Sequence, residues 1–423
     1  MARLLRYPLL TLIFFFPIVV AAQQPTVPEA AVVAADTRFA FKMFRSLALK
    51  NKHENLVLAP TGLSLSFALL ENGADEKTRT EIESAFEFSG LSLPEINQGF
   101  SKLRDDLQLQ HAKLTKRPDW MAPEQWQSYR AAPPNGIVVA DSIWLRGGLT
   151  LPKPFTEIDN ANYGVDVKAL APNVSPAIQF SRWAYDRTKN KLMIEPGRIG
   201  HNEFVLIDVT HFHSFWEHAF SPSDTKTGIF TLADGSKREA PFMNQRGQFR
   251  YLEDPKFHAI VLPYGSESMY IFLPSQDLSL SEFEKELTPE SWPEWLSRFE
   301  SRVGYVALPR IQVASKTDIR PTLREIGVTR IFDTFESLLP IEPVVGAKLT
   351  SVSQSTTLKV DERGTEAISI GVFGGVVGGV QGGRLGTPPP PFEMVVDRPF
   401  FFAIANERTK QLIFLGAVVC PNC

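Results

Sequence analysis

Two cysteines close the chain as Cys420-Pro421-Asn422-Cys423, the C-x-x-C spacing shared by redox and metal-binding elements. They are the only cysteines, so they supply half a zinc site at most. A small terminal disulfide, or two free thiols, meets the same pattern. Three histidines gather in "HFHSFWEH": His211, His213 and His218. The first two share one face of any strand that carries them, a spacing that suits a metal. No third ligand follows at a clear interval, and they read as ordinary strand-end histidines. The chain has no G-x-S-x-G elbow, no H-E-x-x-H, no phosphate-binding glycine loop and no dinucleotide fingerprint. No catalytic residue and no metal ligand is therefore assigned, and the chain is not read as an enzyme. One stretch resists this ordinary reading. "DERGTEAISIGVFGGVVGGVQGGRLGTPPPPFEMVVDRP", Asp361 to Pro399, starts as a strand, turns into a glycine-rich ribbon and closes on four prolines.

The elements around that ribbon are those of a globular chain. The 423 residues are 43% hydrophobic and 22% charged, enough for a large core. The formal net charge of −3 offers no bulk attraction to nucleic acid or anionic membrane. Arg3 and Arg6 precede an apolar run that ends on Val20-Ala21-Ala22, so residues 1–22 read as an export signal. Its removal takes the net charge from −3 to −5. Helical spacing runs through residues 36–50, with Asp36 placed to cap the start. "APTGLSLSFALLENGA" predicts a buried helix stopped by Asn72-Gly73, and Asp75 a third helix start. "NGIVVADSIWL", "FVLIDVTHFH", "YIFLP" and "GYVALPRIQV" predict strands, and "RPFFFAIANERTKQLIFLGAVV" a hairpin. Residues 111–135, polar with Trp and Pro, read as an inserted surface segment. Helices first and strands later predict an α+β fold built on a large, mostly antiparallel sheet. Residues 23–423 show no other break and read as one domain.

In this order and spacing the segments resemble one family, the serpins, over nearly the whole mature length. "NLVLAPTGLSLSFALLENGADEKTRTEI" is similar to its early helical signature. "FVLIDVTHFHSFWEHAF", with Thr225, Phe230, Gly235 and "FMNQRGQF", is similar to its central-strand signature. "LPYGSESMYIFLP" and "LPRIQV" match family strands. "VDERGTEA" resembles the hinge of the family's reactive loop, and "DRPFFFAIANERTKQLIFLGAVV" its closing hairpin. The resemblance implies N-terminal helices packed on a large sheet, further smaller sheets and an exposed loop spanning residues 362–391. It implies a secreted (or, in a bacterium, periplasmic) monomer without cofactor whose partner is a trypsin-, elastase- or subtilisin-like serine protease. The severed loop acylates the protease's serine, and its leading half then enters the main sheet and holds the enzyme as a trapped ester.

The ribbon can be read against that expectation. From Thr365, one strand face carries Thr365, Ala367, Ser369 and Gly371, all small enough for a packed interior. Hydrogen bonds on both edges, at roughly 1 kcal/mol net each, stabilise the inserted strand by on the order of ten kcal/mol. Gly371, Gly374, Gly375, Gly378 and Gly379 oppose it, at roughly 0.5–1 kcal/mol each relative to alanine. Counting from the hinge, which includes Glu362 and Gly364, puts the severed bond at Gly378–Gly379. Counting back from Asp397-Arg398-Pro399 puts it near Pro388, so this loop is longer than the family's. Between the two stands Arg384, before Leu385, the bond a trypsin-like pocket would take.

The residues that the family uses to control sheet opening also depart from pattern. Its two helix hydroxyls fall on Ala59 and Gly62, its Asn on Asp208 and its His on Gln354, leaving Asp208 and Gln354 to pair with each other. Trp216, Arg310 and Glu362 match the residues at the top of the sheet, where Glu362 is placed to pair with Arg310. The slim hinge face favours a suicide-substrate inhibitor. The altered cluster and the glycine load favour a non-inhibitory relative, cut as a plain substrate or serving as a binding protein.

Overall fold

Helix α1 starts well before Asp36, and the reason is a better cap upstream. In the computed structural model Thr26 accepts a hydrogen bond from the Glu29 amide while the Glu29 carboxylate bonds back to the Thr26 amide, a reciprocal capping box. Asp36 is no cap: it lies mid-helix and fully buried. The structure describes residues 26–109, 136–145, 148–188, 204–334, 337–338, 349, 352–365 and 390–423. The export signal at 1–22, the inserted segment at 111–135 and the loop residues Ala367, Ser369, Gly378, Gly379, Arg384 and Leu385 lie outside them.

Among the described residues the helices are α1 (Val27–Lys50), α2 (Pro60–Glu71), α3 (Glu76–Ala85), α4 (Leu93–Leu109), α5 (Lys153–Tyr163) and α6 (Pro176–Thr188), then α7 (Leu280–Glu286), α8 (Ser291–Ser297), α9 (Arg320–Glu325) and α10 (Arg330–Asp333). The strands begin with β1 (Leu56–Leu58), β2 (Gly136–Leu145), β3 (Asp166–Ala169), β4 (Phe204–Phe215), β5 (Lys226–Thr231) and β6 (Lys237–Asp254). They continue with β7 (Phe257–Pro263), β8 (Glu267–Pro274), β9 (Glu300–Pro309), β10 (Ile311–Asp318) and β11 (Ser353–Asp361). β12 (Gly364–Thr365), β13 (Phe392–Val395), β14 (Phe400–Asn406) and β15 (Leu412–Val418) complete the set. The predicted start of α3 is correct: Asp75 accepts from the Thr78 amide at 2.6 Å.

One sheet runs β10-β11-β12-β4-β2-β3, antiparallel except where β3 lies parallel to β2. The other runs β1-β15-β14-β8-β7-β6-β9-β13, with β5 also on β6 and β13 parallel to β9. Every residue of β14 and β15 is buried, which explains why the hairpin sequence is apolar on both faces. The helical core is aromatic, with Phe86 stacked between Phe39 at 4.2 Å and Phe67 at 4.6 Å.

Two layers cover β4 and fix the orientation of its side chains. α6 packs on the outer face through Trp144, Phe180, Trp183, Ile207 and Val209. The alternate residues, Asp208 and Thr210, turn toward α2, which is buried along its whole length.

Candidate functional site

The residues read from sequence as a loop hinge, Gly364 and Thr365, lie between β11 and β4. Gly364 and Thr365 form β12, pairing with Asp361 and Val360 of β11 on one side and with Phe215 and Ser214 of β4 on the other. Among the described residues no backbone pairing joins β11 to β4 directly, so this two-residue strand is what connects them. Only glycine fits at its start. Gly364 has φ +151°, and a Cβ there would lie 2.1 Å from the Ser214 carbonyl oxygen. Thr365 is buried, and its hydroxyl meets the Tyr264 hydroxyl at 2.8 Å. Burial drives the Tyr264 phenol well above its ordinary pKa, so it stays neutral.

Trp216 and Arg310 both make contacts to this end. Trp216 stacks on Tyr264 at 4.3 Å, and its indole N–H donates to the Asp361 carbonyl at 2.9 Å. Its amide donates to the Arg363 carbonyl at 2.9 Å, and the Phe220 amide to the Glu362 carbonyl at 2.9 Å. The Arg310 guanidinium grips Glu362 through Nε at 2.9 Å and Nη2 at 2.6 Å, while Thr225 adds a third donor at 2.5 Å. Burial of Glu362 works against its charge, but these donors more than offset it and hold the carboxyl below its ordinary range. Arg310 is 43% exposed, so the pair fixes position more than it adds stability.

Below the hinge, Asp208 and Gln354 find different partners from those the sequence suggests. The Gln354 amide closes on the backbone of Ala59, accepting from its N–H at 2.9 Å and donating to its C=O at 2.9 Å. Ala59 is the N-cap of α2 and has no side-chain cap of its own, so Gln354 satisfies that helix end from across the sheet. Asp208 turns its carboxyl to Gly62 instead. A Cβ at Gly62 would lie 2.5 Å from both Asp208 oxygens and 2.3 Å from the Thr210 hydroxyl. The missing side chain on the helix and the acid on the strand are thus two halves of one steric fit. Asp141, opposite Asp208 on β2, accepts from Ser66 at 2.5 Å.

Sequence reasoning missed Ser66, Asp141, Tyr264 and Asp36. The last takes hydrogen bonds from Thr61 at 3.3 Å, from Ser64 and from Gln411, joining α1, α2 and the residue that leads into β15. Burial nevertheless raises its pKa to about 6. The one available signal was polar residues inside otherwise apolar helix and strand runs.

On the far side of the loop the chain is re-anchored at β13. Arg302 donates to the Pro390 carbonyl at 3.3 Å. Phe392 stacks on Tyr251 at 3.9 Å, in a slot left open because Gly304 has no side chain. His211 and His213 lie on β4, and among the described residues no group of three His, Cys, Asp or Glu is arranged to hold a metal. Cys420 and Cys423 form a disulfide beside Arg238.

A family model described as Serpin (serine protease inhibitor) matches residues 34–421. Human antithrombin-III is 28% identical over 403 residues, covering 92% of this chain and 81% of its own. Human neuroserpin is 26% identical over 412 residues, covering 94% and 92%. Human thyroxine-binding globulin, solved with thyroxine, superposes with a TM-score of 0.78 at 19% identity, covering 94% of this chain and 100% of its own. The thermophilic serpin tengpin in its native state gives 0.76 at 22% identity, covering 94% and 96%.

Proposed function

Because the chain belongs to the serpin family, we propose that it inhibits a serine protease as a suicide substrate. The protease supplies the nucleophile and the acid–base chemistry. Its serine forms an ester with the Arg384 carbonyl, and Leu385 leaves with a free amino group. The arm from Thr365 onward then enters between β11 and β4 as a full strand, carrying the esterified enzyme with it. The observation that carries this reading is β12, two residues of the loop already paired with both strands where the rest would follow. No step needs a cofactor or a metal. The protein is exported by residues 1–22 and acts as a monomer, and no helix among the described residues is long and apolar enough to cross a membrane.

Mixing the mature protein with trypsin-, elastase- and subtilisin-like proteases tests the proposal. The expected result is a denaturant-resistant band at the summed mass less the released C-terminal fragment. Mass spectrometry of the released C-terminal fragment is expected to start at Leu385. A second reading, a non-inhibitory serpin cut as a plain substrate, is favoured by the five glycines of 371–379 and by Ala59 and Gly62 standing at the helix hydroxyl positions. It predicts clean cleavage with no adduct from any of the three enzymes.

A further inference from the structure

Helix α2 passes beneath the slot and holds both of its lips. From the β11 lip, Gln354 grips the Ala59 backbone. From the β4 lip, Asp208 rests on Gly62, and from β2, one strand further in, Asp141 takes the Ser66 hydroxyl. Widening the slot must therefore slide at least one lip off α2. Asp141 and Asp208 are direct register partners on the face turned to the helix, which places their Cβ atoms about 5 Å apart.

The surroundings of this pair are short of positive charge. β4 contributes Thr210, whose hydroxyl donates to Asp208 at 3.4 Å. α2 contributes Ser66 and Gly62 and, further along, the buried Glu71. α5 contributes Asp159, an acid that itself feels the charge of Asp141. β11 contributes Gln354, whose amide is committed to Ala59. Among the described residues no Lys, Arg or His acts on either carboxyl of the pair. Two acids so placed do not ionise together. Burial pushes Asp141 up to about 7; burial and then the charge of Asp141 push Asp208 well above the ordinary range.

We propose that Asp141, Asp208 and α2 form a proton-operated latch on the slot. With the pair neutral, the β4 lip stays seated on the helix. Loss of a proton leaves a buried carboxylate beside a second acid, and unseating β4 brings it to water. The latch rests on reading the slot as the entry for the loop, and it regulates that entry. The sign follows from the raised pKa: the seated state keeps its full stability below the ordinary Asp value near 3.8 and loses it as pH rises through about 7. Low pH locks the sheet, and neutral to mildly alkaline pH frees it.

Amide hydrogen exchange on the mature protein, divided by intrinsic rates between pH 5.5 and 8.5, tests this without a protease or a cut loop. A molecule that traps no protease would still reveal the latch. In the wild type, opening of β4 and the first half of α2 is expected to rise by about tenfold to a hundredfold per pH unit up to near neutrality, as one or both acids ionise in the open state. Asp208→Asn, which keeps one acid, is expected to show a smaller total rise. Asp141→Asn with Asp208→Asn is expected to be flat. A flat wild type, or a double variant with the wild-type slope, overturns the proposal. Where the variants do not fold, the infrared band of protonated carboxyl in the wild type decides. It is expected to lose intensity as pH passes about 7, where the rise in exchange levels off, and a band unchanged up to pH 8.5 overturns the latch.

Discussion

Gly364 is held at φ +151° with β4 backbone against the place a side chain would occupy. Gly364→Ala is therefore expected to cost about 1–3 kcal/mol through backbone strain and to unseat β12. A lower melting temperature and faster exchange at Trp216 and Phe220, whose amides bond the same turn, would report it. Gln354 offers a second test. Gln354→Ala leaves the Ala59 N–H and C=O without their partner, at about 1–3 kcal/mol. The intact protein is expected to melt earlier and a reactive-loop peptide to enter the sheet faster, whereas unchanged melting would show that water replaces the amide. Single residues were legible where they sit in a continuous motif: Glu362 reaches Arg310, a contact that the sequence suggested. The Asp208–Gln354 pairing was not. Sequence gives the residue types beside α2 but not which side chain reaches past the helix end, and the glycine at position 62 drew Asp208 inward.

β12 is the smallest element and the one on which the proposed insertion depends. Thr365 is its buried residue, small and hydrogen-bonded to Tyr264. Thr365→Arg would force a charged side chain into that space, where an unpaired charge is strongly disfavoured. Trypsin is then expected to cut the variant at an undiminished rate while the covalent adduct disappears; an adduct at wild-type yield would remove β12 from the mechanism. Elements were legible where periodicity was strong. α2, α3, β2, β4 and the closing hairpin lie where their patterns put them. α1 was placed too late because Asp36 imitates a cap, while the capping box at Thr26 and Glu29 lies in a less patterned stretch. The parallel partners β3 and β13 were not foreseen, because pairing between distant short strands leaves no local trace.

At the scale of the whole molecule, the two anchors of the loop decide what an uncut chain can do. Its leading end is fixed at Glu362 by Arg310, and its trailing end by Phe392 in the Gly304 slot. While both anchors hold, the arm between them cannot lie full length between β11 and β4. On the proposed mechanism the intact fold is then a kinetic state, separated from a more stable one by a covalent bond. Cleavage at Arg384 removes the constraint. The six residues from Glu366 to Gly371 alone would gain partners on two sides, worth on the order of several kcal/mol at roughly 1 kcal/mol per bond. The glycines beyond them return part of it. Limited digestion with trypsin, quenched after a single cut, is thus expected to give a nicked protein that melts on the order of 10 °C higher than the intact one. Such a rise in a cut chain runs against the usual effect of proteolysis, which adds freedom and lowers stability. A nicked protein that melts at or below the intact temperature would mean that the arm stays outside the sheet, and that β12 is an anchor and not the start of a strand.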